Sequence, residues 1–168
     1  MMDTLKRIIK GTIPYVVIII FVLLLKTYIV TPIQVNGDSM DPTLKDGDFM
    51  ILNKLGYKLG NINRFDIVVI DKKDTYIIKR VIGLPGETVK YEDNKLFING
   101  VNIEESFLPE GKITNDFEYK VADNCYFVMG DNRQISLDSR ELGCFDISLI
   151  RGKTSLSFFP FNRFGFKS

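Results

Sequence analysis

Between Gly11 and Ile33 the chain carries a single charge, Lys26. So apolar a stretch belongs in a lipid bilayer or in a protein core, and the two homes dictate different molecules. A bilayer span takes roughly 20 apolar residues. The uninterrupted run from Ile13 to Leu25 is shorter, and Thr27 to Val30 extends it if the Lys26 ammonium snorkels to the far interface. Lys6, Arg7 and Lys10 precede the run, and positive charge of this kind stays on the cytoplasmic side. These flanking charges, with the abrupt change to strand-like sequence at Pro32, argue against a core helix. A cleaved leader has similar first and middle regions. However, Lys26-Thr27-Tyr28-Ile29-Val30-Thr31 offers no small-x-small cleavage site. The expected organisation is a cytoplasmic N-terminus over 1–10, one transmembrane helix over 11–33, and a domain outside the membrane over 34–168.

That outer part reads as all-β. Ile33-Gln34-Val35 alternates apolar and polar, as a half-buried strand does. Further strand-like runs are Phe49 to Leu52, Asp66 to Ile70, Thr75 to Ile82, Thr88 to Tyr91, Leu96 to Ile98, Cys125 to Met129 and Thr154 to Phe159. Asn99-Gly100, set between Phe97-Ile98 and Val101-Asn102-Ile103, is a two-residue hairpin signal. No long amphipathic helical pattern interrupts these runs. The expected fold is a β-sheet domain rich in hairpins, large enough to bury a core of its own.

Composition narrows the partners. The formal net charge is +1, with Lys and Arg spread along the chain rather than gathered in a basic patch, so nucleic acid is not an expected partner. Cys125 and Cys144 are the only thiols, at a spacing that matches no zinc pattern, and no metal or other cofactor is expected. A disulfide between them is open in an oxidising compartment. Two separate, partly buried thiols are the simpler reading.

The chain contains no histidine. A serine needs a base to act as a nucleophile near neutral pH, and a Ser-His-Asp triad is excluded here. Ser39 lies in Gly37-Asp38-Ser39-Met40-Asp41-Pro42-Thr43-Leu44, a turn sequence that can present a hydroxyl to a cleft. Lys79 lies in Tyr76-Ile77-Ile78-Lys79-Arg80-Val81-Ile82, where alternation puts Ile77, Lys79 and Val81 on one face. A lysine on an apolar face is desolvated, which lowers its pKa and frees it to act as a base. An ordinary turn serine and a snorkelling lysine are the plain alternatives. Arg80 is expected on the opposite face, as a solvated or ion-paired surface residue.

A third segment, Gly130-Asp131-Asn132-Arg133-Gln134-Ile135-Ser136-Leu137-Asp138-Ser139-Arg140, follows the serine and lysine segments. Together, in this order and behind an apolar segment, the three resemble the signature blocks of bacterial type I signal peptidase, and the short form resembles the Gram-positive members. The resemblance implies a membrane-bound serine endopeptidase with Ser39 as nucleophile, its backbone N–H helping to hold the oxyanion, and Lys79 as general base. It implies Ser136 as the hydroxyl that orients the lysine, and Asp131, Asn132, Asp138 and Arg140 as structural support. An Asp138–Arg140 pair would hold the loop against the lysine strand, and Asn132 would bond the backbone of its own loop. Ile33, Val35, Met40, Leu44 and Ile78 would form shallow apolar pockets that accept small-x-small sites. A small sheet insertion is implied over about 87–122. The implied partners are the signal peptides of exported preproteins, the phospholipid membrane and a nearby secretion translocase. The implied location is the cytoplasmic membrane, single-pass, with the catalytic domain outside. Two residues depart from the wider family: Gly37 replaces a serine found in Gram-negative members, and Ile135 replaces the usual asparagine.

Two other functions fit parts of this pattern. A self-cleaving regulator can use the same dyad but needs a DNA-binding domain, and the N-terminus here is an apolar segment. A non-catalytic anchored β-domain that binds exported chains or assembles pili leaves the matched serine and lysine unexplained. The aromatic run Ser157 to Phe166 either rests on the membrane interface or packs in the core.

Overall fold

Short alternating runs separated by turn residues favour hairpins, and hairpins dominate the computed structural model, which describes residues 11–23, 30–54, 62–73 and 75–167. Among the described residues twelve strands form: β1 Val30–Gln34, β2 Phe49–Asn53, β3 Ile67–Lys72, β4 Thr75–Gly83, β5 Thr88–Glu92, β6 Lys95–Ile98, β7 Val101–Ile103, β8 Phe117–Lys120, β9 Cys125–Met129, β10 Phe145–Asp146, β11 Ile150–Phe159 and β12 Gly165–Phe166. The larger sheet has the order β1-β2-β11-β3-β4-β9-β10, with β12 on β11, and the smaller has the order β7-β6-β5-β8. The smaller sheet begins at Thr88 and ends at Lys120. Its two tight turns are made by Asp93-Asn94 and Asn99-Gly100, all with positive φ. That is the backbone handedness which matches the twist of two-residue hairpins.

Between the sheets lies one apolar cluster of Ile82, Val89, Tyr91, Leu96, Ile98, Val121, Phe127 and Met129. A second cluster, on Val68, Ile70, Val81 and Val128, includes the flank of Ile77. A third gathers Val35, Met40, Leu44, Met50 and Ile67, with Ile33 and Ile78 against it. Lys79 therefore stands on a strand whose neighbours are anchored in two separate apolar clusters.

The expected membrane segment needs correction at its end. Residues 11–23 are helical and exposed, 24–29 lie outside the described residues, and Val30–Gln34 is strand β1, paired with β2 from Val30↔Asn53 to Gln34↔Phe49. A helix over 11–33 is thus excluded beyond residue 29. β-branched Val30, Thr31 and Ile33 favour the strand. Pro32 is tolerated because β1 is an edge strand, where a missing N–H breaks no ladder on the free side. Among the described residues no helix is long and apolar enough to cross a membrane.

Candidate active site

The turn that carries Ser39 is built by backbone pairing and by two buried side chains. The Val35 N–H donates to the Asp48 carbonyl at 2.8 Å, and the Gly47 N–H donates back to Val35 at 3.0 Å. Gly37, at φ 83°, turns the chain, and its N–H donates to Asp46 Oδ1 at 2.7 Å. The Asp41 N–H closes onto the Asp38 carbonyl, and the Leu44 N–H onto the Met40 carbonyl. Met40 and Leu44 are fully buried and pin the turn into the third cluster. Ser39 is left half-exposed, and its N–H donates to no group among the described residues.

Strand β4 brings Lys79 to this turn. Its Nζ lies 2.7 Å from Ser39 Oγ. The residue is only 4% exposed, and it makes no ion pair among the described residues. Burial holds the ammonium below its usual pKa; the charges of Asp138 and Asp131 pull it back up, and Arg140 pushes it down further. An amine kept from protonation by burial can accept the proton of the hydroxyl it touches.

The third segment follows β9 and buttresses the serine turn from behind. The Asn132 N–H donates to the Ser39 carbonyl at 3.0 Å, and Asn132 Nδ2 donates to the Asp38 carbonyl at 3.2 Å. The Asn132 side chain thus bonds the serine turn rather than its own loop, because the two loops are stacked. Gly130 makes the stacking possible: a Cβ there would stand 2.3 Å from the Ser39 carbonyl oxygen and 2.2 Å from Ser136 Oγ. Asp138 receives the Gly130 N–H at 3.0 Å and the Arg140 Nε at 2.9 Å, and it caps the short helix Ser139–Leu142 through the Arg140 N–H. Burial alone would lift the Asp138 carboxyl; the bonds from Arg140 and Gly130 outweigh it and hold the pKa below the usual range.

Several sequence expectations change here. The Asp138–Arg140 pair exists at 2.9 Å, but it stays within the loop. Asp131 makes the tie to the lysine strand, through a paired contact with Arg80 Nε at 2.9 Å and Nη2 at 2.7 Å. Arg80 is fully buried, donates to the Phe65 carbonyl, and its guanidinium lies 3.9 Å from the Phe107 ring centre. A solvated or surface Arg80 is therefore excluded. Ser136 is buried near Asp138 and helps hold that carboxyl down, yet its Oγ completes no hydrogen bond among the described residues, with Lys79 or any other group. Ile135 is 63% exposed, and the loop is bonded through backbone instead, with the Ile135 and Ser136 N–H groups both donating to the Asn132 carbonyl.

A groove of about 440 Å³ opens beside Ser39 and Lys79. Ile33, Val35, Met40 and Ile78 line it, as do Gln34, Asn36, Val69 and Thr75 to Ile77. Leu44 does not line it, because it lies beneath the turn with no exposed surface. Sequence reasoning also missed Arg133, which is buried and donates to the Gly130 carbonyl, Thr114 Oγ1, Tyr91 Oη and Glu105. It links the smaller sheet to the loop behind Ser39. An arginine beside matched block residues was the available signal, but its partners are distant in sequence. Among the described residues no cluster of His, Cys, Asp or Glu could hold a metal ion.

Comparison with known proteins agrees with this geometry. Residues 6–159 match the family described as "Signal peptidase, peptidase S26". Signal peptidase I of Bacillus licheniformis is 42% identical over 160 residues, covering 88% of this chain and 86% of that protein. Signal peptidase I S of Bacillus subtilis is 40% identical over 169 residues, covering 94% and 92%. The crystal structure of a signal peptidase I from Enterococcus faecalis superposes with a TM-score of 0.51 at 35% identity, over 55% of this chain and 96% of that one. A serine held against a buried lysine in a chain without histidine, matched to this family over nearly its whole length, has one reading: the chain belongs to the bacterial signal peptidase I family, membrane-associated serine endopeptidases that remove N-terminal signal peptides from exported preproteins.

Proposed function

We propose that Ser39 is the nucleophile and Lys79 the general base of this peptidase. The observation that carries the reading is the 2.7 Å contact between Ser39 Oγ and the Nζ of a buried lysine with no carboxylate partner among the described residues. Neutral Lys79 takes the hydroxyl proton as Oγ attacks the carbonyl carbon of the last signal-peptide residue. The unused Ser39 N–H donates to the oxygen that becomes negative. Protonated Lys79 then gives its proton to the departing amine. Water, activated by the same amine, releases the signal peptide from Ser39. Ser136, a buried hydroxyl whose Oγ completes no hydrogen bond among the described residues, is the acceptor that would aim the lysine lone pair. Asp131, Asn132, Asp138 and Arg140 hold the loop on which this alignment rests.

The substrate lies extended in the groove and adds a strand to the free edge of β1. Ile33, Val35, Met40 and Ile78 form pockets for small residues at the first and third positions before the cut. The chain is anchored by its N-terminal apolar segment, with Lys6, Arg7 and Lys10 in the cytoplasm and the peptidase domain outside, beside the translocase. Residues 87–122 form a small inserted sheet. Phe161 and Phe166, 81% and 80% exposed, support contact of this domain with the membrane surface.

The test uses the full chain in liposomes, offered a preprotein that carries its own apolar helix, beside Ser39→Ala. Wild type cuts after the small-x-small site and the variant does not. Changing either small residue from Ala to Leu slows cutting about 10- to 100-fold, the rate equivalent of overfilling a tight pocket. Cleavage by Ser39→Ala at the wild-type rate defeats the assignment of the nucleophile. Equal rates with Ala and Leu defeat the assignment of the pockets.

A further inference from the structure

Cys125 and Cys144 are the only cysteines of the chain, both free and both half-buried. Cys125 opens β9, and Cys144 directly precedes β10. The register places Cys125 opposite Asp146 and Tyr126 opposite Phe145. Because facing residues share a side of the ribbon and the side alternates along each strand, Cys144 falls on the same side as Cys125. Both side chains pack against the apolar cluster between the two sheets. The two thiols thus stand at diagonal positions on one side of the ribbon, against one cluster, and their surroundings divide the proton unequally. Burial pushes the Cys125 thiol up, and the neighbouring Cys144 and Asp146 push it further. Burial would also raise Cys144, but contacts from Cys125, the Ala122 backbone and the Tyr119 hydroxyl outweigh it and bring the pKa down. Tyr119 Oη in turn accepts the Cys144 N–H at 3.1 Å.

We propose that Cys125 and Cys144 form a redox-modification site, closed to an intrachain disulfide by exchange with a small-molecule disulfide. The Cys144 thiolate attacks one sulfur of the reagent and releases the first small thiolate. Cys125 then loses its proton to solvent, and its sulfur attacks Cys144 and expels the second. Two protein thiols are oxidised, and one small disulfide is reduced to two thiols. Cys144 acts first because it is the better populated thiolate. The ring so closed contains the whole segment from Gly130 to Arg140, including Asn132 and Gly130, which contact the serine turn. Bridging therefore ties together the two ends of the loop that supports the active site.

The experiment treats the full chain in detergent micelles with oxidised glutathione near neutral pH. Intact mass and peptide mapping should give the loss of two hydrogens and a Cys125–Cys144 cross-linked peptide. Thermal unfolding of the bridged form should rise by about 5–10 °C over the reduced form, as expected for a closed loop of this length. Cys125→Ser should trap a stable glutathione adduct on Cys144, whereas Cys144→Ser should leave Cys125 largely unreacted. Two free thiols after treatment, glutathione on both cysteines, or only a link between two chains would overturn the proposal. The wild-type mass result decides the bridge even if either variant fails to fold. The bridge is read independently of preprotein cleavage, so it stands or falls apart from the dyad.

Discussion

Lys79 and Arg80 are neighbours on one strand, both are cations, and both are buried, at 4% and 0% exposure. Their surroundings are opposite. Arg80 has a paired carboxylate, a carbonyl and an aromatic ring. Among the described residues, Lys79 has one serine hydroxyl within hydrogen-bond distance. Burial destabilises an unpaired charge and leaves the neutral form as the way out. A lysine can take that way and an arginine cannot. One strand thus carries a buried amine without a carboxylate partner among the described residues towards the groove, and an ion-paired guanidinium towards the smaller sheet. The alternation of side chains keeps the two apart.

Exchanging the two cations gives the largest test of this contrast. Lys79→Arg and Lys79→Ala should each lower kcat by at least about 10³-fold, a loss on the scale of removing a general base. Both should still fold, as judged by circular dichroism. A Lys79→Arg variant with near-wild-type turnover would end the claim that a neutral amine is needed. Arg80→Met should act mainly on stability. It leaves Asp131 buried and unpaired, at a cost of about 3–5 kcal/mol in denaturant unfolding. Adding Asp131→Leu should return most of that loss. If Arg80→Met leaves stability unchanged, the pair is not holding the loop.

A third test uses pH. Lys79 titrates below 10.5 in the folded protein, so the rate should rise with pH through an apparent pKa lower than that. The stability sign follows from the same shift. Between the folded pKa and 10.5 the unfolded chain binds more protons, so stability rises with pH in that window and is lower below it. Lys79→Met should therefore unfold at a higher temperature than wild type at neutral pH, with the advantage shrinking as the pH climbs. A constant difference across that range would mean that the lysine is not held neutral by burial. The smallest effect concerns Gly37, whose φ is 83° with open space where a Cβ would go. Gly37→Ser should cost about 1 kcal/mol of stability from backbone conformation alone, read by thermal unfolding.

Much of this contrast is legible in the sequence. The alternation around Lys79, the Asn99-Gly100 turn and the missing histidine are local signals, and local signals survive folding. What stayed hidden depends on distant partners. β8 and β10 are short and acquire their meaning only from pairing with β5 and β9. The burial of Arg80 depends on Asp131 and Phe107. The Arg133 network draws on Tyr91 of the smaller sheet and on Glu105 and Thr114 of the segment between β7 and β8. Leu44 resembles a pocket residue because it follows the serine, but the turn folds it underneath. The start of β1 at Val30 was masked by the apolar run before it, since apolar strands and apolar helices look alike at their junction.

Gly130 has a wider consequence. Its missing side chain lets the Ser39 carbonyl rest on a loop that follows nearly a hundred residues later in the chain. The aim of the Ser39 hydroxyl is therefore set by a mating surface rather than by its own stretch of polypeptide. Such a joint has no slack, and it can slip without breaking. Heating that loosens the later loop should misalign the serine while both sheets remain intact, so activity should be lost at a lower temperature than the fold.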